Sequence, residues 1–352
     1  MYKVSVLVPI YQVEPYIERC ARSLFEQTYP DLEYVFVNDC TPDNSIAVLK
    51  STLNDYPNRK DAVKIIDHEK NRGLAAARNT ALDHATGAFV SVVDSDDWLE
   101  RNAIALLVDK QIQTDADIVS GSAYVYRKEG ADVIVEPVYK NKQEMVLGQM
   151  DYTMAHVIWR RLIRRSLYED HHIRCMEGCD MTEDRYQMVL LSYYAKSFAR
   201  IDDYVYHYER RNERSFMNEQ HETRLTQYYH QMLQNWIGIE KFFSDKEPKY
   251  YQKAIHQIGG LFVGYLKMLL KHKDKNGYHA TTAMIDQQYQ KYWPQIRLLR
   301  FVTWRDKGLS GWLLHNYSLM RIRVAIGSGI WDMNKELKRK KRVKQAGINK
   351  IQ

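Results

Sequence analysis

From residue 4 to residue 122, short valine-rich runs alternate with stretches of helical spacing. This alternation constrains the chain more than any other feature. Residues 4–9, 32–38, 63–67, 88–93 and 117–122 are short and apolar, as strands buried on both faces are. Residues 14–26 place Ile17, Cys20, Ala21, Leu24 and Phe25 on one side of a helix. Residues 43–54, 74–85 and 104–114 also read as helices. Strand–helix alternation at this spacing predicts βαβ units, hence an α/β fold around a mostly parallel sheet. In such sheets ligands bind beyond the carboxyl ends of the strands. Tyr11, Asp39, the Asn71–Arg72–Gly73 turn and Asp94 all stand at those ends.

The fourth strand ends on Asp94, Asp96 and Asp97, with Trp98 next. Carboxylates so close repel one another unless a cation sits among them. Hard divalent ions take oxygen ligands and bind phosphates together with one or two carboxylates, so Asp94 and Asp96 read as a metal–phosphate site. The alternative is a helix N-cap, with Asp96 or Asp97 capping a helix that starts near Trp98. Capping accounts for one Asp of the three, and Asp97 suits it best.

Beyond residue 125 the pattern changes. Residues 150–215 look mixed, and 218–300 look mainly helical. Tyr228, Met232, Trp236 and Phe243 recur at near-helical steps, which marks a core stripe. The expected organisation is a catalytic domain over 1–217, a helical region over 218–300 and a basic tail over 301–352. The tail holds twelve Lys and Arg against three Asp and Glu. The net charge of +7 therefore leaves −2 for the other 300 residues. Four cysteines are too few for a disulfide scaffold. His171, His172, Cys175 and Cys179 match no usual zinc spacing. The most apolar stretch, 259–270, is too short to span a bilayer and contains Lys267. The N-terminus has no signal-peptide architecture, so a cytoplasmic location is expected.

The stretches SVLVPIYQVEPYIERCARSLFEQTY (5–29), VFVNDCTPDNS (35–45), NRGLAAARNTAL (71–82), VDSDDWL (93–99) and TEDRYQMVLL (182–191) resemble glycosyltransferase family 2 in order and spacing. The resemblance covers roughly residues 4–215. It implies the GT-A fold, a Rossmann-like sheet flanked by helices. It also implies a single-step, inverting transfer of one sugar from a nucleotide-diphosphate sugar, with Mn²⁺ or Mg²⁺ as cofactor. The positions it implies for the nucleotide sugar are Pro9, Tyr11, Glu14, Asp39, Arg72, Gly73, Arg78 and Asp94.

Asp39 would accept an N–H of the nucleotide base, which favours a UDP-sugar. Asn38, Cys40 and Thr41 depart from the family pattern and leave the base open. Tyr11 is either a stacking partner of the base or a core tyrosine. The turn before 74–85 and the helix start behind it could meet a diphosphate through N–H groups, with Arg72 and Arg78 adding charge. Asn79 reads as a brace to a neighbouring loop. Asp94 and Asp96 would hold the metal; His207 is either a further metal ligand or phosphate contact, or a structural histidine. Arg210, Arg211 and Arg214 are either phosphate contacts or a solvated face. Glu183 and Asp184 match the general base, Asp184 first and Glu183 in support or binding the acceptor, or else they fill the first turn of a helix capped by Thr182.

The resemblance also implies a role in surface-polysaccharide synthesis, with a glycan or lipid-linked acceptor. No QxxRW-like segment of processive synthases is present. Leu319, Ile322, Ile326, Ile330, Met333 and Leu337 form an apolar stripe beside the 338–342 basic run. That suits peripheral docking on an anionic membrane, although Gly327 and Gly329 weaken such a helix. Two rival readings are a nucleotidyltransferase of similar layout and a nucleic-acid-binding protein acting through the tail. The first lacks its Gly-rich, lysine-containing loop, and no nucleic acid partner is expected.

Overall fold

A computed structural model describes residues 2–151, 156–212 and 222–292. Strands β1 (Val4–Ile10), β2 (Leu32–Asn38), β3 (Val63–Asp67) and β4 (Phe89–Val92) pair in parallel, in the order β3-β2-β1-β4. Parallel neighbours need crossovers. These are α1 (Glu14–Phe25), α2 (Ser45–Asn54) and α3 (Leu74–Asp83). Helix α1 buries Ile17, Cys20, Ala21, Leu24 and Phe25, the face its spacing predicts. Every residue of β1 is buried, including Pro9. Pairing with β4 stops at Leu7, so the N–H that Pro9 lacks lies beyond the ladder on that edge.

Past β4 the sheet turns mixed. The remaining strands are β5 (Trp98–Leu99), β6 (Ile118–Arg127), β7 (Gly130–Ile134), β8 (Arg161–Arg164) and β9 (Phe198–Glu209). Strand β8 runs antiparallel between β4 and β6, β9 runs parallel to β6, and β5 pairs antiparallel with β9. The parallel expectation therefore holds for β1 to β4 and gives way where β8 enters the sheet antiparallel between β4 and β6. Strand β6 extends five residues past Ser122 because its far half gains β7 as a partner.

The other helices are α4 (Ala103–Thr114), α5 (Lys142–Gln149), α6 (Ser166–Asp170), α7 (Glu183–Tyr194), α8 (Glu222–Phe243), α9 (Pro248–Lys271) and α10 (Lys275–Gln288). Helix α8 buries Met232, Trp236 and Phe243, which makes that stripe core, as its spacing predicts. Two compact units emerge, the second beginning at Ala254. The candidate site lies within the first. No described helix is long and apolar enough to cross a membrane. The apolar stripe and the basic run of the tail lie outside the described residues.

Candidate active site

Because β1 to β4 are parallel, their carboxyl ends open on one rim. Tyr11 follows β1 and is 42% exposed, so it is not a core residue. The Glu14 carboxylate accepts the Asn44 backbone N–H at 3.0 Å and its side-chain amide at 3.2 Å. Asp43 in turn accepts the Glu14 N–H and the Ser45 hydroxyl. Glu14 thus braces the loop after β1 to the loop after β2.

Asp39, after β2, is buried and heavily engaged. It accepts the N–H groups of Arg72 and Gly73, each at 2.8 Å, and its Oδ1 lies 2.7 Å from His68 Nδ1. His68 Nε2 lies 2.9 Å from the Thr80 hydroxyl. A carboxylate has about four acceptor positions, and three of them are used here.

Gly73 has φ +89°, a region that L side chains rarely adopt. A Cβ there would overlap the Asp180 carboxylate. Asp180 Oδ1 accepts the Ala75 N–H at 2.8 Å. The amides expected to receive a diphosphate, those of Arg72, Gly73 and Ala75, are therefore already bonded within the chain. The exposed Arg72 side chain pairs with Glu177.

Arg78 answers the question raised by the acidic cluster. One helical turn into α3 and buried, it donates from Nη2 to Asp94 Oδ1 at 2.7 Å and from Nη1 to Glu183 Oε1. Burial disfavours its charge, but Asp94 and Glu183 more than offset this and hold the guanidinium charged. For Asp94 the neighbouring cation is thus a side chain, which joins it to a second acidic site 89 positions on in sequence. Asn79, the next residue, exchanges two hydrogen bonds with the Cys175 backbone and is the brace its position suggests.

The three aspartates divide by environment. Asp94 is partly open, its side chain 24% exposed. Asp96 accepts from the Asn212 amide at 2.9 Å, and its carbonyl accepts from Arg19. Burial pushes the Asp96 carboxyl up to about 6; Asn212 opposes the rise and Asp94 adds to it. Asp97 is fully buried and accepts the Tyr206 hydroxyl and the Glu209 N–H, both at 2.7 Å. It does not cap a helix. Trp98 begins strand β5, and the next helix starts at Ala103. Those two bonds to β9 draw the chain into the sheet instead.

His207 takes up the structural role rather than standing free as a metal ligand. Its Nε2 meets Glu100 Oε1 and its Nδ1 meets the Tyr126 hydroxyl, both at 2.9 Å. Its ring stacks on Trp98, centroids 4.8 Å apart. Both nitrogens are used, and the residue packs in an aromatic face. Among the described residues no three His, Cys, Asp or Glu side chains converge on a metal position. Arg211 chelates Glu209, and Arg210 gives its N–H to the Tyr126 carbonyl. Arg214 lies outside the described residues.

Glu183 and Asp184 open α7. Thr182 stands at the N-cap, but with φ +60°, and its hydroxyl makes no cap bond. Burial raises the Glu183 carboxyl against the pull of Arg78. The Asp184 side chain is 14% exposed and lies 4.0 Å from His156 Nε2. Its Oδ1 accepts the Arg185 N–H. Spacing could not reveal Asp180, His68, Asn212 or His156. Each lies far in sequence from its partner.

The sequence model of Glycosyl transferase family 2 matches residues 5–174. The chain carries a family 2 glycosyltransferase domain. The domain is 33% identical over 189 residues to an uncharacterized glycosyltransferase, EpsJ of Bacillus subtilis, covering 51% of this chain and 53% of EpsJ. The chain thus spans about half the length of that curated relative. S. aureus TarS (residues 1–349) in complex with UDP superposes with a TM-score of 0.56 at 20% identity, over 92% of this chain and 88% of TarS. The Pyrobaculum calidifontis mannosyltransferase PcManGT, in complex with GDP-Man and Mn²⁺, superposes with a TM-score of 0.52 at 18% identity, over 94% and 88%. At these identities the likeness is one of fold, and the fold of the glycosyltransferase domain is GT-A.

Proposed function

We propose that this chain transfers one sugar from a nucleotide-diphosphate sugar to a hydroxyl of a glycan or lipid-linked acceptor, in a single inverting step of surface-polysaccharide synthesis. The observation that carries this reading is the Arg78 bridge. One buried guanidinium joins Asp94, which would serve the phosphate side, to the Glu183–Asp184 turn, which would serve the base side. A displacement needs those two functions on opposite sides of the anomeric carbon.

Asp39 would take a base N–H, and exposed Tyr11 would stack on the base. TarS with bound UDP supports a UDP-sugar donor. Asp184 would take the proton from the acceptor hydroxyl as the new glycosidic bond forms and the bond to the diphosphate breaks. Glu183 is committed to Arg78 and would hold the turn in place. Asp94, Asp96 and the Asn212-braced loop form an oxygen-rich set whose crowding a hard cation would relieve, and PcManGT with Mn²⁺ supports that use. Asp94 and Asp96 are the residues that would hold Mn²⁺ or Mg²⁺, whose charge would offset that of the departing diphosphate. The basic tail would bring the enzyme to an anionic inner membrane face, where lipid-linked acceptors lie.

The test is a panel of nucleotide sugars, scored for hydrolysis and for transfer with and without chelator, on wild type and Asp184→Asn. One donor should be turned over by wild type only with a divalent ion present. Asp184→Asn should cut transfer by roughly 10²–10⁴-fold while still binding the matching nucleotide. Full turnover in chelator would remove the metal from the reading. A variant that lost nucleotide affinity but kept its rate would move the base elsewhere.

A further inference from the structure

The start of α7, which carries Asp184, is not fixed by its own capping. Thr182 is β-branched and held at φ +60°, a conformation that costs about 1–2 kcal/mol. Its hydroxyl is buried without a partner. The turn is held from outside instead. Met181 gives its N–H to Gln231 Oε1 at 3.0 Å, and its carbonyl accepts from Asn235 at 2.8 Å. Glu183 is held by Arg78. Asp180 reaches the other way, to the turn that also bonds Asp39, with its Oδ1 on the Ala75 N–H. Gly73 is shared by the two carboxylates. Its N–H bonds Asp39 Oδ2 at 2.8 Å, and its Cα lies so close to Asp180 that no side chain fits between them.

We infer that Asp180 is a positioning residue: seated on the Gly73–Ala75 turn, its carboxylate fixes where Asp184 stands relative to a donor held at Asp39. The inference rests on the reading of Asp184 as base. A shift of the Gly73 turn as Asp39 takes up a base is passed to Asp180, four residues before Asp184. Burial raises the Asp180 carboxyl, and the Ala75 N–H opposes the rise. What the contact requires is an acceptor oxygen rather than a negative charge, and an amide can supply one.

The experiment uses the full chain as wild type, Asp180→Ala and Asp180→Asn. Asp180→Ala should lower kcat about ten- to a hundredfold, the scale of a misplaced catalytic group. Its Kd for UDP should stay within about twofold. Asp180→Asn keeps an oxygen for the Ala75 N–H and should recover most of the rate. Hydrogen exchange gives a readout independent of turnover. UDP, or GDP if UDP does not bind, should protect amides 181–186 in wild type but not in Asp180→Ala. An unchanged kcat, a loss of nucleotide affinity in step with rate, an Asn variant as poor as Ala, or equal protection in both proteins would overturn the inference. A wild type that turns over no nucleotide sugar would sink the transferase reading alone, because the exchange comparison would still decide Asp180.

Discussion

At the scale of single residues, Arg78 concentrates most of the site's electrostatics. Its guanidinium is buried and serves two carboxylates, one of them, Glu183, itself buried. Removing one partner of a buried pair leaves the other charge unpaired, which is worse than losing both. Arg78→Met should therefore lower unfolding free energy by about 3–5 kcal/mol, read by denaturant titration. Arg78→Lys should recover only part of this, since an ammonium lacks the planar fork that spans two acids. A midpoint for Arg78→Met equal to wild type would mean that the bridge contributes nothing to stability. Asp96 and Asp97 make the complementary point. Adjacent and chemically identical, they differ because Asp97 is bonded into β9 and Asp96 faces the loop at Asn212.

At the scale of elements, the sheet carries a polar clamp near the amino ends of β1 and β2, away from the rim that holds the site. Glu33 in β2 is 4% exposed and lies beside Ser5 of β1. It accepts from the Ser5 hydroxyl, from the N–H and hydroxyl of Thr86, and from Lys64. Burial alone would raise its carboxyl, but these bonds outweigh it and hold the group down at about 2. A depressed folded-state value means that the carboxylate stabilises the fold fully above its unfolded value of 4.5. That contribution is lost as pH falls from there toward about 2. Thermal unfolding between those limits should show wild type losing stability steeply with acid. Glu33→Gln should be less stable at neutral pH and flatter across the same window. Parallel slopes for the two proteins would place the acid sensitivity elsewhere.

At the scale of the whole molecule, charge is the feature to test. The 52 C-terminal residues carry +9 and the rest of the chain −2. A basic residue near an anionic leaflet is worth about 1 kcal/mol, and the attraction fades with salt. The full chain should co-sediment with anionic vesicles at low salt and release at high salt. Replacing the five basic residues 338–342 by Gln should abolish pelleting without changing nucleotide binding. Equal pelleting by both proteins would remove the basic run from membrane contact.

What the sequence determined alone is what short-range pattern can carry. The α1 face, the buried strands β1, β2 and β4 and the acidic turn at the end of β4 were legible because periodicity and apolar runs reflect burial within a few residues, whereas β3, also expected to be buried, ends the sheet and is only half-buried. The resemblance motifs marked the rim residues, and Asn79 could be read as a brace. Tertiary structure alone decided which acids share a cation. The Arg78–Glu183 and Ala75–Asp180 contacts each join residues 105 positions apart. It turned Trp98 into a strand, used both nitrogens of His207 and bonded the amides of the turn into α3 to Asp39 and Asp180. No local pattern encodes such pairings. They depend on where β8, β9 and α7 return to the sheet, and a buried polar group takes whichever partner that return brings within hydrogen-bond reach.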